Sequence, residues 1–299
     1  QYCMRTPRHL LQGSKYSNLT TVRVSNDHFE RSFWPQVIYA SRLASSIGAW
    51  PWVDVFASNE AANLMLATLS AGVVGASDAI GAAEVRNLRR AARPDGVLVK
   101  PDSPLVPSDW TYLNEAQNGP GPMVAFSISE HESGRAAYVV ALARAGVKQA
   151  AFTPAEAGLT GNVYAYDMRN QSGTRIHART PISLDLSNDW SYIVAVPVSR
   201  GGIAIVGDLG KFAPRGRARI ASIVDHEAST DVTVSFAPGE KKIALTGYSE
   251  EAPSVIGNAT DLSWSADTHL FTIAVAPEDD STAHITLSPV TTRHRAAGK

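Results

Sequence analysis

Three aspartates, each beside a short apolar segment, are the residues of this sequence best suited to chemistry: Asp27, Asp54 and Asp78. Other polar and aromatic side chains stand close to them in the chain, namely Arg23, Ser25, Trp50 and Trp52. Carboxylates accept paired hydrogen bonds from neighbouring hydroxyls, and indole faces stack on the C–H faces of pyranose rings. Cleavage of a glycosidic bond needs two carboxyl groups, about 5–5.5 Å apart for retention and about 6.5–9.5 Å apart for inversion. This combination of residues predicts carbohydrate chemistry.

Different roles are predicted for these side chains. Asp27 is the predicted catalytic residue, a general acid and base that protonates the glycosidic oxygen and then deprotonates water or an acceptor sugar. The predicted substrate-binding residues are Arg23, Ser25, Trp50, Trp52, Asp54 and Asp78. Each also has a structural explanation. An aspartate at a strand end often caps a helix, the two tryptophans can belong to the core, and Arg23 can simply neutralise a neighbouring carboxylate.

Alternating strands and helices are predicted to position these residues. Residues 20–24 (TTVRV) are β-branched and strand-like, and apolar residues recur at helical spacing through residues 30–47. Further strands are predicted at 53–57 and 73–76, and further helices at about 60–70 and 82–93. Successive strand–helix units favour a parallel sheet or barrel, with a doubly wound open sheet as the competing arrangement.

The pattern of apolar residues changes after a segment rich in proline and glycine. Residues 114–122 are predicted to be a linker between residues 1–113 and residues 123–299. Beyond it the helical spacing gives way to short β-rich segments, at 192–198, 203–206, 232–236, 243–246 and 271–275. These segments are separated by Gly, Pro, Asn or Asp turns, a pattern that predicts an antiparallel β-sandwich.

Five short blocks within residues 1–105 occur in the order known from one group of enzymes. They are QYCM at 1–4, RVSND at 23–27, WPWVD at 50–54, LSAGVVGASD at 69–78 and PDGVLVK at 94–100. Together they resemble the raffinose synthase and alkaline α-galactosidase families. The resemblance implies an α/β plus all-β protein, the C-terminal half of a (β/α)8 TIM barrel followed by the sandwich. It also implies a retaining glycoside hydrolase or transglycosidase that acts on an oligosaccharide, with Asp27 in place of the general acid and base.

The same resemblance implies that the chain is a C-terminal fragment. The nucleophilic aspartate of these families lies on a strand before residue 1, so the missing N-terminal part of the barrel is an expected partner. The fragment alone is therefore expected to be inactive. Asn26 stands where the families have the first aspartate of a pair, and Lys100 replaces an arginine. The alternative is a non-catalytic sugar-binding or structural homologue that has lost the acid/base group.

Composition argues against several other functions. The net charge is −1, so no nucleic-acid partner is expected, and no uninterrupted apolar segment of about 20 residues predicts a membrane span. The eight histidines do not cluster at metal-ligand spacing, and phosphate-binding glycine motifs are absent, so no metal and no cofactor is predicted. Cys3 is the single cysteine and no signal segment is visible, which favours a cytoplasmic protein.

Overall fold

The structure is a computed structural model that describes residues 2–3, 7–278 and 281–289, and β-strands predominate over helices in it. Within these residues the strands, in chain order, are β1 Tyr2–Cys3, β2 Thr21–Arg23, β3 Trp50–Trp52, β4 Val106–Pro107, β5 Met123–His131, β6 Gly134–Leu142, β7 Gln149–Phe152, β8 Asn162–Asp167, β9 Ser172–His177, β10 Ile182–Asp185, β11 Trp190–Pro197, β12 Ile203–Gly207, β13 Ile220–Asp225, β14 Thr230–Ser235, β15 Ile243–Ser249, β16 Pro253–Gly257, β17 Ala259–Trp264, β18 Leu270–Val275 and β19 Thr282–Pro289. The α-helices are α1 Pro7–Gly13, α2 Trp34–Ser46, α3 Ala61–Leu69, α4 Val85–Ala91 and α5 Asp109–Asn118, with short 3-10 helices at Arg31–Phe33 and Pro154–Ala157.

A small parallel sheet and the helix α2 organise the N-terminal part. β2 pairs in parallel with β1 on one side and with β3 on the other. Pro35 lies in the first turn of α2, where its missing N–H leaves no hydrogen bond unmade. The helix buries Trp34, and the indole of Trp34 packs edge-on against Trp190 of β11 with ring centroids 5.9 Å apart. Through this contact α2 is packed between the parallel sheet and the antiparallel part of the molecule.

The central layer is a six-stranded antiparallel sheet in the order β4-β5-β6-β11-β8-β9. Side chains alternate between its two faces because successive residues of a strand point in opposite directions. On β6, Tyr138 and Val140 join the core shared with α2 and α3, whereas Ala137 and Val139 join a second core under the β7–β10 pair. Both faces of this sheet are therefore buried, which explains the near-continuous apolar sequence of β6.

Two four-stranded antiparallel sheets complete the molecule. Their strand orders are β12-β15-β18-β17 and β13-β14-β19-β16, and a third core lies between them. Ile205 and Ile273 contribute from one sheet, and Val232 and Ile285 from the other. Inward-facing apolar residues that alternate with polar ones define a sandwich, so the β-sandwich expected from the sequence agrees with this part of the fold.

The expectation of an α/β half barrel is wrong. Only 18% of the chain is helical, and most of the strand residues lie in several antiparallel sheets. In the described part of the first 118 residues the parallel strands are β1, β2 and β3, each two or three residues long. The predicted strand at 73–76 forms no ladder. Ser77 N–H donates to the Phe56 carbonyl (3.0 Å), but Gly72 and Gly75 interrupt the β-branched run that a strand needs.

Several predicted elements are confirmed within a few residues. The strand at 20–24 corresponds to β2, the helix at 60–70 to α3 and the helix at 82–93 to α4. Four of the five predicted sandwich segments correspond to β12, β14, β15 and β18 of the two packed sheets, whereas the segment at 192–198 corresponds to β11 of the six-stranded sheet. The predicted linker at 114–122 begins inside α5, and β4 pairs with β5 across it. Residues 1 and 4 of the QYCM block and residues 290–299 lie outside the described residues.

One buried histidine makes the stability of the antiparallel part depend on pH. His131 ends β5, and its Nε2–H donates to the carbonyl oxygen of Arg215 (2.9 Å). Burial, together with the nearby guanidinium of Arg215, lowers the pKa of His131 from 6.5 to about 4. Between these two values the unfolded chain binds a proton that the folded protein does not. The stabilisation is therefore complete above pH 6.5 and is lost as the pH falls from 6.5 towards 4.

We expect the wild-type protein to lose about 3 kcal/mol of unfolding free energy over this pH interval through His131. His131→Gln keeps a donor for the Arg215 carbonyl and removes the titrating imidazole. Its free energy of unfolding should therefore fall by about 3 kcal/mol less on acidification. Urea unfolding at pH 7.5, 6, 5 and 4 measures the difference. If the free energies of unfolding of the two proteins fall by the same amount on acidification, groups other than His131 cause the acid sensitivity.

Candidate functional site

The predicted site residues of β2 and β3 lie on one face of the parallel sheet. Val22 and Pro51 are buried on the face that packs against the helices. Side chains alternate along a strand, so Arg23, Trp50 and Trp52 lie on the opposite face. Arg23 and Trp52 are register partners on β2 and β3. This second face is less covered, since Trp50 is 38% exposed and Trp52 is half-buried.

Arg23 connects two of the predicted carboxylates. Its Nε lies 2.5 Å from Asp54 Oδ2, and its Nη2 donates to Asp27 Oδ1. The Asp54 side chain is 9% exposed and the Asp27 side chain 65% exposed. The guanidinium therefore joins an interior carboxylate to one that faces solvent. We call Arg23, Asp27 and Asp54 the Arg23 cluster.

The loop backbone holds Asp54 in place. Ser25 is buried, and its Oγ accepts a hydrogen bond from Asp54 N–H (2.7 Å). Asp54 Oδ1 accepts from Val55 N–H (2.6 Å), while Oδ2 faces Arg23. Both carboxylate oxygens of Asp54 are thus occupied. Asp54 is enclosed against Arg23, whereas Asp27 is the carboxylate of the cluster that faces solvent.

The two tryptophans differ in how freely a ligand reaches them. The Lys100 ammonium lies 4.7 Å from the centroid of the Trp50 ring and donates to the carbonyl oxygen of Ala71 (2.5 Å). Burial lowers the pKa of Lys100. One face of Trp50 is therefore covered by this contact. Trp52, beside Arg23, is the indole better placed to take part in the Arg23 cluster.

The hydrogen bonds of Asp78 hold two segments of the protein together. Its carboxylate accepts from Ser58 N–H (3.1 Å) and from Ser58 Oγ (2.9 Å). Ser58 Oγ in turn accepts from Glu84 N–H (2.6 Å), just before α4. In the described part of the chain no hydrogen bond or ion pair joins Asp78 to the Arg23 cluster. Asp78 connects the loop after β3 to the start of α4, which is the structural alternative that its sequence position allowed.

A cavity of about 410 Å³ adjoins the loop that carries Asp27, and His28 and Glu30 line it. Two further lining residues, Glu60 and Asn63, were not predicted from the sequence. Asn63 accepts from the Trp34 indole N–H (2.7 Å) and donates to the Phe29 carbonyl (3.1 Å), so it fixes the wall of the cavity. No sequence signal marks Asn63, because its importance comes from contacts with residues about 30 positions away.

The arrangement suits recognition of hydroxyl groups better than it suits bond cleavage by the predicted carboxylates. Asp27 offers a solvent-facing acceptor whose position is set by Arg23. Glycoside cleavage needs a second carboxyl group facing the first, and the Asp54 side chain is only 9% exposed and is held against Arg23. A second catalytic carboxyl group would have to come from outside the predicted set.

Among the residues that the structure describes, no three His, Cys, Asp or Glu side chains are grouped so that they could hold a metal ion. No helix in the described ranges is long and apolar enough to cross a membrane. Comparison of the chain with models of protein families and with curated proteins found no match.

Proposed function

We propose that the Arg23 cluster binds the hydroxyl groups of a carbohydrate, with Trp52 as the stacking surface. The observation that carries this proposal is the register of the parallel sheet. Arg23 and Trp52 are directly paired, and Arg23 donates to the exposed Asp27. An apolar ring face and an anionic acceptor on one open surface match the two faces of a pyranose.

Asp54 improves this site without touching the ligand. Because it anchors Arg23 from the interior, the guanidinium does not have to be ordered when a sugar binds. Asp27 is ordered in turn by its contact with Arg23. Hydrogen bonds from sugar hydroxyls to an ionised carboxylate are charge-assisted and stronger than neutral ones. Preorganisation of this kind supports recognition of a small, strongly hydrated ligand.

The sequence blocks favour a galactoside as the carbohydrate. The block around Asp27 and the block around Asp54 resemble the raffinose synthase and alkaline α-galactosidase families, and the Arg23 cluster is built from those two blocks. Raffinose and melibiose are therefore the first ligands to test.

A second candidate function is glycoside hydrolysis or transfer with Asp27 as the general acid and base. The specific observation in its favour is that Asp27 is both exposed and held by an anchored guanidinium. Such a carboxylate is positioned for proton transfer to a bound substrate. Asn26, beside it, stands where the resembling families carry a further aspartate, which weighs towards the non-catalytic alternative.

Asp27→Asn and Trp52→Ala should each weaken binding of raffinose by at least about tenfold, since each removes one of the two contacts that define the site. Isothermal titration calorimetry measures the affinity, and circular dichroism checks that the variants fold. Asp261→Asn is the matched control, because Asp261 is an exposed, ion-paired aspartate of the sandwich. Unchanged affinity for raffinose in both site variants would contradict the proposal.

Assay of nitrophenyl α-galactoside separates the two functions. Product release by the wild type that is lost in Asp27→Asn supports hydrolysis, whereas raffinose binding without any turnover supports a binding protein.

A further inference from the structure

A second, larger cavity lies outside the Arg23 cluster. It is a groove of about 1030 Å³ between α4 and the antiparallel sheets, and we call it the α4 groove. One side is formed by α4, and the other by residues near the end of β8 and by the turn at 208–211. No residue of the Arg23 cluster lines it.

The α4 groove has a strong excess of positive charge. Four cationic side chains line it, Arg86, Arg89, Arg90 and Lys211, against one carboxylate, Glu84. Arg89 and Arg90 follow Arg86 by three and four positions, so the three guanidiniums stand on one side of a short helix. Within the described residues none of these three arginines forms an ion pair with a carboxylate. Like charges at this spacing repel each other and weaken the helix.

The neighbouring structure holds the charge in place. Lys211 Nζ donates to the carbonyl oxygens of Arg89 (2.6 Å) and Ala92 (2.9 Å), at the C-terminal end of α4. The Arg90 guanidinium lies 4.2 Å from the centroid of the Phe212 ring. Burial, and to a smaller extent repulsion from Arg86, lowers the pKa of Arg90. Arg86 and Arg89 remain exposed towards the groove. An anion bound between them would relieve the repulsion.

We propose that the α4 groove binds an acidic oligosaccharide through its carboxylate or sulfate groups. Besides the cations, the groove presents the amide side chains of Asn59, Asn87 and Gln171, which suit hydroxyl groups. Met168 and Leu209 supply apolar surface between them. The volume is at the upper end of the range for small-molecule sites, about 300–1,000 Å³, which fits a ligand of several sugar units.

The lining distinguishes this ligand from a nucleic acid. Single-stranded nucleic acids are held by exposed aromatic rings on which the bases stack. The aromatic residue of the groove, Tyr166, is 3% exposed and offers no such platform. The net charge of the whole chain is −1, so the protein lacks the overall positive charge that favours a nucleic-acid partner. The proposal is independent of carbohydrate binding at the Arg23 cluster.

The test is binding of two probes, an oligogalacturonate and a chondroitin sulfate oligosaccharide, measured by calorimetry at low ionic strength. We expect binding that weakens at about 0.15 M salt, as for charges partly open to solvent. The double variant Arg86→Gln/Arg89→Gln should bind both probes at least about tenfold more weakly. Both side chains are exposed and their mutual repulsion weakens α4, so the thermal unfolding midpoint of the variant should be no lower than that of the wild type. Arg90 is left unchanged because it packs on Phe212.

Arg179→Gln is the matched control, since Arg179 is exposed and lies outside the groove; it should bind like the wild type. Three results would overturn the proposal: no binding of either acidic probe, equal binding by the double variant, or tighter binding of single-stranded DNA of the same charge. Raffinose binding by the double variant is measured in parallel. It should equal that of the wild type, because no residue of the Arg23 cluster lines the α4 groove.

Discussion

Arg219→Met is expected to lower the free energy of unfolding by about 3–5 kcal/mol, because it breaks a buried ion network on one side only. The Arg219 side chain is fully buried and donates through both terminal nitrogens to Glu240, each at 2.8 Å. Its Nε lies 3.1 Å from Asp208, and Nη1 also donates to the carbonyl of Ser235 (2.7 Å). Methionine fills a similar volume but leaves two interior carboxylates without their cation.

The pKa values of Glu240 and Asp208 are shifted in opposite directions. Burial alone raises the pKa of Glu240, but the hydrogen bonds and charge of Arg219 outweigh it, so the net shift is downward. For Asp208, burial dominates and its pKa is raised. The contribution of Glu240 to stability is therefore present above its unfolded pKa and is lost as the pH falls through its lower folded value.

Chemical denaturation of Arg219→Met, Glu240→Met and the double variant measures this network directly. We expect the double variant to be less destabilised than the sum of the two single variants, because it leaves fewer interior charges unpaired. Arg217→Met, two residues away and exposed, should change stability by less than about 1 kcal/mol. Additive effects of the two single changes would show that Arg219 and Glu240 act independently.

Arg23→Met is expected to remove carbohydrate binding and to destabilise the protein by about 3 kcal/mol. The loss of stability follows because Asp54, 9% exposed, is left without its ion-pair partner. The loss of binding follows because Asp27 is no longer held. Arg23→Lys keeps the charge but cannot reach two carboxylates with a planar fork. It should therefore recover most of the stability and little of the binding. Calorimetry with raffinose and urea unfolding report the two effects separately.

Arg31→Met is the control for this experiment. Arg31 pairs with Asp189 at 3.7 Å, and both side chains are largely exposed, so its loss should cost less than about 1 kcal/mol. Stability in Arg23→Met equal to that of the wild type would mean that Asp54 is solvated or neutral without Arg23. Raffinose binding that survives in Arg23→Met would separate sugar recognition from the Arg23 cluster.

The Arg23 cluster and the α4 groove differ in how well the sequence predicted them. The blocks around Asp27 and Asp54 predicted a site, and the structure joins these two aspartates through Arg23. The α4 groove was missed, although the run Arg86-Asn-Leu-Arg-Arg90 carries a charge pattern that indicates a basic helix face. The pattern alone did not show that the face borders a cavity, because the opposite wall comes from residues about 80 to 125 positions later.

Local periodicity was enough to predict the elements whose own residues specify them. Short β-rich segments between turn residues identified β14 and β18, and apolar residues at helical spacing identified α2, because these patterns follow from local sequence. The number and pairing of parallel strands were not specified in this way. Whether residues 73–76 become a strand depends on a neighbouring backbone to bond with, and the structure provides one bond at Ser77 and no ladder.

The roles of the candidate residues likewise depended on tertiary contacts. Residue type and position placed Asp27, Asp54 and Asp78 in one predicted site, since each is a carboxylate near the end of an apolar segment. Burial made them different: Asp54 is enclosed beside Arg23, Asp78 is bonded to Ser58, and Asp27 faces solvent. Burial is a property of the packed chain as a whole, whereas the chemistry of a side chain is already present in the unfolded sequence.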